Sequence, residues 1–184
     1  MLNVMINQET TIEELAALVC EKLKEYNIDV VLSGGSCMEL YSNSEFSSYD
    51  IDLIMRYSAK QNDVNNAMES LGFKREKIAR YFKHPNNPFF VEFPDGPVAV
   101  GDEFIKEFAT RTTKFGELKL LKVEDCIKDR LCAYVYHYDT ICLDQAISVA
   151  KNNEVDYQEL ERWAKEESGT DMINAINEIV NALK

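Results

Sequence analysis

The chain has 184 residues, 46 % of them apolar and 28 % charged, enough for an α/β domain with its own core and a helical appendage. Its net charge of −12 at pH 7 argues against a broad basic surface for duplex DNA or an anionic membrane, and no apolar run approaches the roughly eighteen residues of a membrane span. The same acidity is compatible with a nucleotide or a nucleic-acid end held through metal ions, since metal sites need carboxylates.

In chain order, "TIEELAALVCEKLKEY" places Ile12, Leu15, Leu18, Val19 and Leu23 at helical spacing, with Thr11 and Glu14 as a capping box. Asn27 ends that helix, and "NIDVVLSGG" reads as a strand running into two glycines. "SCMELYS" is a short helix and "YDIDLIMRY" a strand. "SAKQNDVNNAMESLGF" is a helix with Ser58 and Gln61 as its capping box and Gly72 as its stop. "KIARYFKH" and "PFFVEF" read as strands around an "NNP" turn, and "VAV" and "ELKLLK" as further strand candidates. After Lys122 the pattern becomes four helices, "VEDCIKDRLCAYVYHYD", "TICLDQAISVAKNN", "DYQELERWAKEES" and "TDMINAINEIVNALK". Asp156 with Glu159 caps the third, and Gly169 separates the last two. The expected organisation is an α/β (α+β) core over 1–122, a mixed sheet flanked by helices, with a C-terminal helical region over 123–184 packed on it.

The N-terminal "MLNVMINQETTIEELAALV" has no basic segment leading into an apolar one, so no secretion signal is expected. Cys20, Cys37, Cys126, Cys132 and Cys142 stand singly, without a CxxC pair, as reduced thiols of a cytoplasmic protein would. With two histidines and no clustered ligands, a zinc site is not expected.

The chemistry concentrates in "VVLSGGSCMELYSNSEFSSYDIDLIM". Residues two apart on a strand share a face, with Cα atoms roughly 7 Å apart, so Asp50 and Asp52 project together while Ile51, Leu53 and Met55 face the core. Adjacent half-buried carboxylates repel and are costly to desolvate. Divalent cations remove that cost, and two such carboxylates can share a pair of metal ions about 3.5–4 Å apart. Gly34 and Gly35, between strand and helix, let the backbone approach a ligand. The N–H groups at the helix start, with the Ser36 hydroxyl, suit a phosphate.

This pattern resembles the nucleotidyltransferase superfamily, the polymerase-beta-like fold: a strand, a Gly-Ser turn, a short helix, then Asp-apolar-Asp-apolar. Here Gly35 and Ser36 are followed by thirteen residues and Asp50-Ile51-Asp52-Leu53. The resemblance implies a nucleotidyltransferase-like mixed sheet, Gly34, Gly35 and Ser36 holding a triphosphate, and Asp50 and Asp52 binding two Mg²⁺ (or Mn²⁺) ions. It also implies a third acid on a later strand that binds metal and helps activate the acceptor hydroxyl. Glu92 in "FFVEF" is the position that fits. The implied activity is transfer of NMP from an NTP to a hydroxyl on a protein, an RNA end or a small molecule. "KVEDCIKDRLCAYVYHYD" is similar to the helix that follows the core in uncharacterised bacterial members.

Lys128, Asp129 and Arg130 read either as an interhelical ion-pair set or as a helix that closes over the nucleotide and offers Lys128 or Arg130 to a phosphate. Arg56, Lys74, Arg80 and Lys83 are further candidates for phosphate or acceptor contacts. Tyr134, Tyr136, Tyr138 and Trp163 are expected to pack the helical region. Two other classes remain open. One is a nucleotidyltransferase-fold module that binds a protein partner, for example within a toxin–antitoxin pair. The other is a HEPN-like ribonuclease: Arg130 and His137, six residues between them and about two turns apart on one helix face, resemble the Arg-x(4-6)-His motif of that family.

Overall fold

The computed structural model describes residues 6–76, 81–167 and 169–184. Helix α1 (Ile12–Glu25) starts from the expected capping box, Thr11 Oγ1 accepting from Glu14 N and Glu14 Oε2 from Thr11 N. Asn27, with φ of 57°, turns the chain out of the helix toward β1 (Val30–Ser33). Then come α2 (Gly34–Tyr41), β2 (Asp50–Met55), α3 (Gln61–Ser70), β3 (Lys74–Arg75), β4 (Tyr81–Lys83) and β5 (Phe90–Glu92). A small hairpin, β6 (Ala99–Val100) with β7 (Glu103–Phe104), leads into a longer one, β8 (Ala109–Thr113) with β9 (Gly116–Leu120). Four helices complete the chain: α4 (Val123–His137), α5 (Thr140–Asn152), α6 (Tyr157–Glu167) and α7 (Thr170–Ala182).

Seven strands form one mixed sheet in the order β3-β4-β5-β2-β1-β9-β8. β2 lies antiparallel to β1 and parallel to β5, and β1 lies parallel to β9. Each parallel pair needs a crossover, supplied between β2 and β5 by α3 with β3 and β4. α1 packs across β9, β1 and β8 and meets α3. Leu15, Val19 and Leu23 of α1 are fully buried with Leu32, Ile51, Leu53, Val91, Leu118 and Leu120 of the sheet. Each such side chain contributes about 1.5–3 kcal/mol of burial free energy.

The hydrophobic cluster continues into the C-terminal helices through Ile127, Leu131, Trp163, Met172 and Ile179. Polar bonds tie the same parts together. Tyr41 Oη donates to Leu121 O at 2.9 Å, Asn153 Nδ2 to Tyr41 O at 2.8 Å, and Ser148 Oγ to Glu45 Oε2 at 2.6 Å. No helix among the described residues is long and apolar enough to cross a membrane.

Several local expectations are corrected. Ser58 does not cap α3: the helix starts at Gln61 with Lys60 at the N-cap and no side-chain cap bond. Gly72 does terminate it, at φ of 88°. α2 begins at Gly34, so both glycines belong to its first turn. At α6, Asp156 Oδ1 accepts from the N–H groups of Gln158 and Glu159, but the Glu159 carboxylate turns away to Lys128 and Arg162. β8, "ATRTT", lies where no strand was expected. Of "KIARYFKH", 81–83 form β4, whereas 77–80, including Arg80, fall outside the described residues. Tyr136 and Tyr138 do not pack inside, being 44 % and 86 % exposed. The five cysteines are free thiols.

The two capping expectations give a paired test. Thr11→Ala should cost about 1 kcal/mol of unfolding free energy. Ser58→Ala should change it by less than about 0.5 kcal/mol. Urea unfolding of both variants measures the difference, and equal losses would contradict the observed helix start.

Candidate active site

The candidate acids lie on the sheet face opposite α1. Register across β4, β5, β2 and β1 sets two rows, because directly opposed residues share a face. One row is Lys83, Phe90, Asp50; the other is Tyr81, Glu92, Asp52, Ser33. Neighbouring strands are about 4.8 Å apart, so Asp52 and Glu92 are side by side and Asp50 is one pleat away. Sequence reasoning placed Asp50 and Asp52 on one strand and Glu92 on another, and the parallel pairing of β2 with β5 sets them on neighbouring strands.

Asp52 is half-buried, and its carboxyl is pushed up to about 6. Desolvation is the largest cause, followed by the charges of Glu92, Asp50 and Asp129; Arg130 acts in the opposite sense. That guanidinium is already engaged, Arg130 Nη2 donating to Asp129 Oδ2 at 2.6 Å.

The first turn of α2 closes over this carboxylate. Gly34 has φ of 63°, and a Cβ there would collide with the Asp52 carboxylate, so only glycine allows the approach. Ser33, at the N-cap, makes no side-chain bond to the helix, its Oγ donating instead to Asp52 O at 3.4 Å. The first N–H groups of a helix have no intrahelical acceptor.

Ser36 corrects the sequence reading. It is fully buried, and its hydroxyl points back to Ser33 O at 3.5 Å, not out toward a ligand. The nearer hydroxyl is that of Ser48, which sequence reasoning missed. A Cβ on Gly35 would lie 2.9 Å from Ser48 Oγ, and that oxygen donates to Asp50 O at 3.1 Å. Glu39 holds the loop, its Oε2 accepting from Ser48 N at 2.7 Å. The available signal was the pair of serines in "FSSY" before Asp50.

α4 sends successive residues to different places. Asp129 and Arg130 face α2 and α5, with Arg130 Nη1 3.4 Å from Gln145 Oε1 and its Nε buried without an acceptor among the described residues. Lys128 is not part of this site. It is 1 % exposed, with Nζ 2.7 Å from Glu159, 3.1 Å from Asp125 and 3.8 Å from Glu103. Arg56 is likewise committed, to Asp29 at 2.7 Å. Lys83 stays on the acid face, its Nζ 5.0 Å above the Phe90 ring, while Lys74 is exposed on β3. His137 is exposed at the end of α4, two turns from the half-buried Arg130–Asp129 pair.

An all-oxygen donor set of Asp50, Asp52 and Glu92 fits hard divalent cations such as Mg²⁺ or Mn²⁺. The raised carboxyl of Asp52 is the sign of that fit, a charge the fold leaves poorly compensated. Among the described residues no three Asp, Glu, His or Cys side chains converge as tightly as a metal's ligands do.

The raised carboxyl has a thermodynamic consequence. Protonated Asp52 binds its proton more tightly folded than unfolded, so its contribution to stability is complete below the ordinary carboxylate range and is lost as pH rises through about 6. Asp52→Asn should therefore match wild type below about pH 4, gain on it as pH rises from there to about 6, and hold a constant advantage of about 2 kcal/mol above that. Unfolding curves of both proteins across that range test this, and a gap independent of pH would contradict it.

No family model matches the sequence, and no curated protein sequence does. Solved structures do match. A crystal structure of an antigenic nucleotidyltransferase-like protein from Paracoccidioides brasiliensis superposes with a TM-score of 0.65 at 14 % identity, over 96 % of this chain and 90 % of that one. ANT(2")-Ia, crystallised with adenylyl-2"-tobramycin, superposes with a TM-score of 0.50 at 13 % identity, over 90 % of this chain and 95 % of that one. The chain therefore has a nucleotidyltransferase-like fold: a mixed sheet with flanking helices and a C-terminal helical part.

Proposed function

We propose that the chain is a metal-dependent nucleotidyltransferase that moves NMP from an NTP to a hydroxyl acceptor. The observation that carries the reading is the placement of Asp52 against both Glu92 and the first turn of α2. It joins a carboxylate set to a backbone anion site within one strand spacing.

Asp50 and Asp52 would hold two Mg²⁺ ions, with Glu92 as a further ligand. Bound there, the ions supply charge neutralisation for the triphosphate and the pentacovalent phosphorus. The N–H groups of Gly34 and Gly35 bind phosphate oxygens at the helix N-terminus, and Ser48, at the mouth of the same turn, can swing its one O–H from Asp50 O to a phosphate oxygen. Glu92 orients the acceptor hydroxyl and takes its proton. The acceptor oxygen forms a bond to the α-phosphorus as the bond to the pyrophosphate oxygen breaks, and pyrophosphate carries away that electron pair. Catalysis is mostly positioning and electrostatics. Arg130 acts on the site only through its field at Asp52, and Lys128 is committed to Glu159, Asp125 and Glu103. That ANT(2")-Ia was crystallised with an adenylylated small molecule supports a small-molecule hydroxyl as one acceptor class.

Calorimetric titration of ATP, GTP, CTP and UTP tests this without an acceptor. Wild type should bind at least one of them only with Mg²⁺, and Asp50→Ala/Asp52→Ala should bind it at least tenfold more weakly, about 1.4 kcal/mol. Absence of Mg²⁺-dependent binding in wild type would overturn the reading and favour a module that binds a protein partner.

A further inference from the structure

Lys74, Tyr81 and Lys83 lie on the acid face of the sheet and take no part in the metal or triphosphate contacts. Tyr81 and Lys83 stand on β4, and Lys74 on β3 is directly opposite Lys83, so the two lysines share a face. The two rows therefore extend outward, as Lys74, Lys83, Phe90, Asp50 and as Tyr81, Glu92, Asp52.

Two observations point to an anion at this end of the face. First, like charges directly opposed across two strands are destabilising, their Cβ atoms being about 4.5–5.5 Å apart. Neither lysine forms an ion pair among the described residues, although the chain has 32 acidic side chains to 20 basic ones. Lysines on an edge strand deter pairing with other chains. That accounts for Lys74 on β3, at the edge of the sheet, but not for Lys83 on the internal strand β4. Second, Lys83 Nζ is 5.0 Å from the centre of the Phe90 ring, which in turn lies 4.8 Å from that of Tyr81. The ring contact holds the ammonium over the sheet and leaves its N–H donors without an acceptor among the described residues. The Tyr81 hydroxyl has no hydrogen-bond partner among them either.

The direction of the reaction selects the ligand these groups meet. The triphosphate is assigned to the first turn of α2, which follows β1. In an in-line displacement the attacking oxygen stands on the far side of the α-phosphorus from the leaving pyrophosphate. That far side is the side of β5 and β4, where Glu92 is followed by Tyr81, Lys83 and Lys74. Two strand spacings, about 10 Å, separate Lys83 from Asp50, so a small ester bound at Lys83 can present a hydroxyl to Glu92.

We propose, resting on the nucleotidyl-transfer reading, that Tyr81, Lys83 and Lys74 form the acceptor subsite and that the acceptor is a small phosphate monoester with a free hydroxyl. Its phosphate, a dianion, lies between the two ammonium groups and relieves their repulsion. Tyr81 Oη donates to a hydroxyl oxygen of the ester, and the attacking hydroxyl faces Glu92.

The probe is sn-glycerol 3-phosphate, titrated by NMR into the isotope-labelled full chain with MgCl₂ and without nucleotide. It is compared at matched ionic strength with n-propyl phosphate, which lacks the hydroxyls, and with D-glycerate and glycerol. The expected result is saturable amide shifts in β4 and β5, with glycerol phosphate binding about tenfold tighter than glycerate or glycerol and several-fold tighter than propyl phosphate. Lys83→Glu should weaken glycerol phosphate about tenfold, and Lys83→Arg should retain most of the binding. Tyr81→Phe, which keeps the ring, should bind glycerol phosphate and propyl phosphate equally. Because no nucleotide is present, the outcome is independent of the NTP titration. Loss of NTP binding alone removes the transfer reading and leaves a phosphate-ester site, whereas loss of ester binding alone removes this subsite and leaves the reading. No saturable shift, glycerol bound as tightly as its phosphate, binding unchanged in Lys83→Glu, or tighter binding of a single-stranded RNA hexamer would overturn the proposal.

Discussion

A half-buried carboxylate with two acidic neighbours is the constraint around which this molecule's sheet face is arranged. Desolvation and repulsion both oppose ionisation of Asp52, so its charge stands at a cost in neutral solution. The flanking Ile51 and Leu53 are fully buried, and an apolar side chain in place of Asp52 would fit the same sheet more cheaply. The surroundings instead accommodate the charge. Gly34 gives up its side chain so that the helix N-terminus can reach the carboxylate, and Ser33 spends its hydroxyl on the strand and not on capping the helix. The free N–H groups of that first turn carry the positive end of the helix dipole, so their approach offsets part of the charge of Asp52.

Much of this was legible because its signals are local. The Thr11–Glu14 box, the stop at Gly72 and the alternation of "DIDLIM" each depend on residues within one turn or pleat. What was not legible depends on partners distant in sequence. Glu92 stood out as a lone acid among apolar residues, but its position opposite Asp52 is a property of the β2–β5 pairing, which no local pattern encodes. β8 was hidden because its inward residues include Arg111, which reaches Glu13 and Leu40 O and stacks 5.2 Å from the Tyr41 ring. Such a strand lacks the apolar alternation that marks one. Ser36 was assigned to a ligand because it follows the glycines. One helix turn starting at Gly34 rotates it into the core and leaves Ser48, on the incoming loop, nearest to the open side.

Lys128, Asp129 and Arg130 show the same limit on a finer scale. Consecutive residues of a helix are about 100° apart, so a charged triplet cannot serve one site as a unit. Here the lysine neutralises carboxylates from α4, α6 and β7, while the aspartate and arginine pair with each other beside the sheet acids. α4 is thus a wall between two acidic regions, with its cations already consumed on both sides. Much of the excess of 32 acidic over 20 basic residues is concentrated at these two places. Negative charge gathered into clefts is not needed for solubility, which an even distribution would provide as well. Its concentration leaves two regions of uncompensated negative potential, one on the sheet face and one on the far side of the helix.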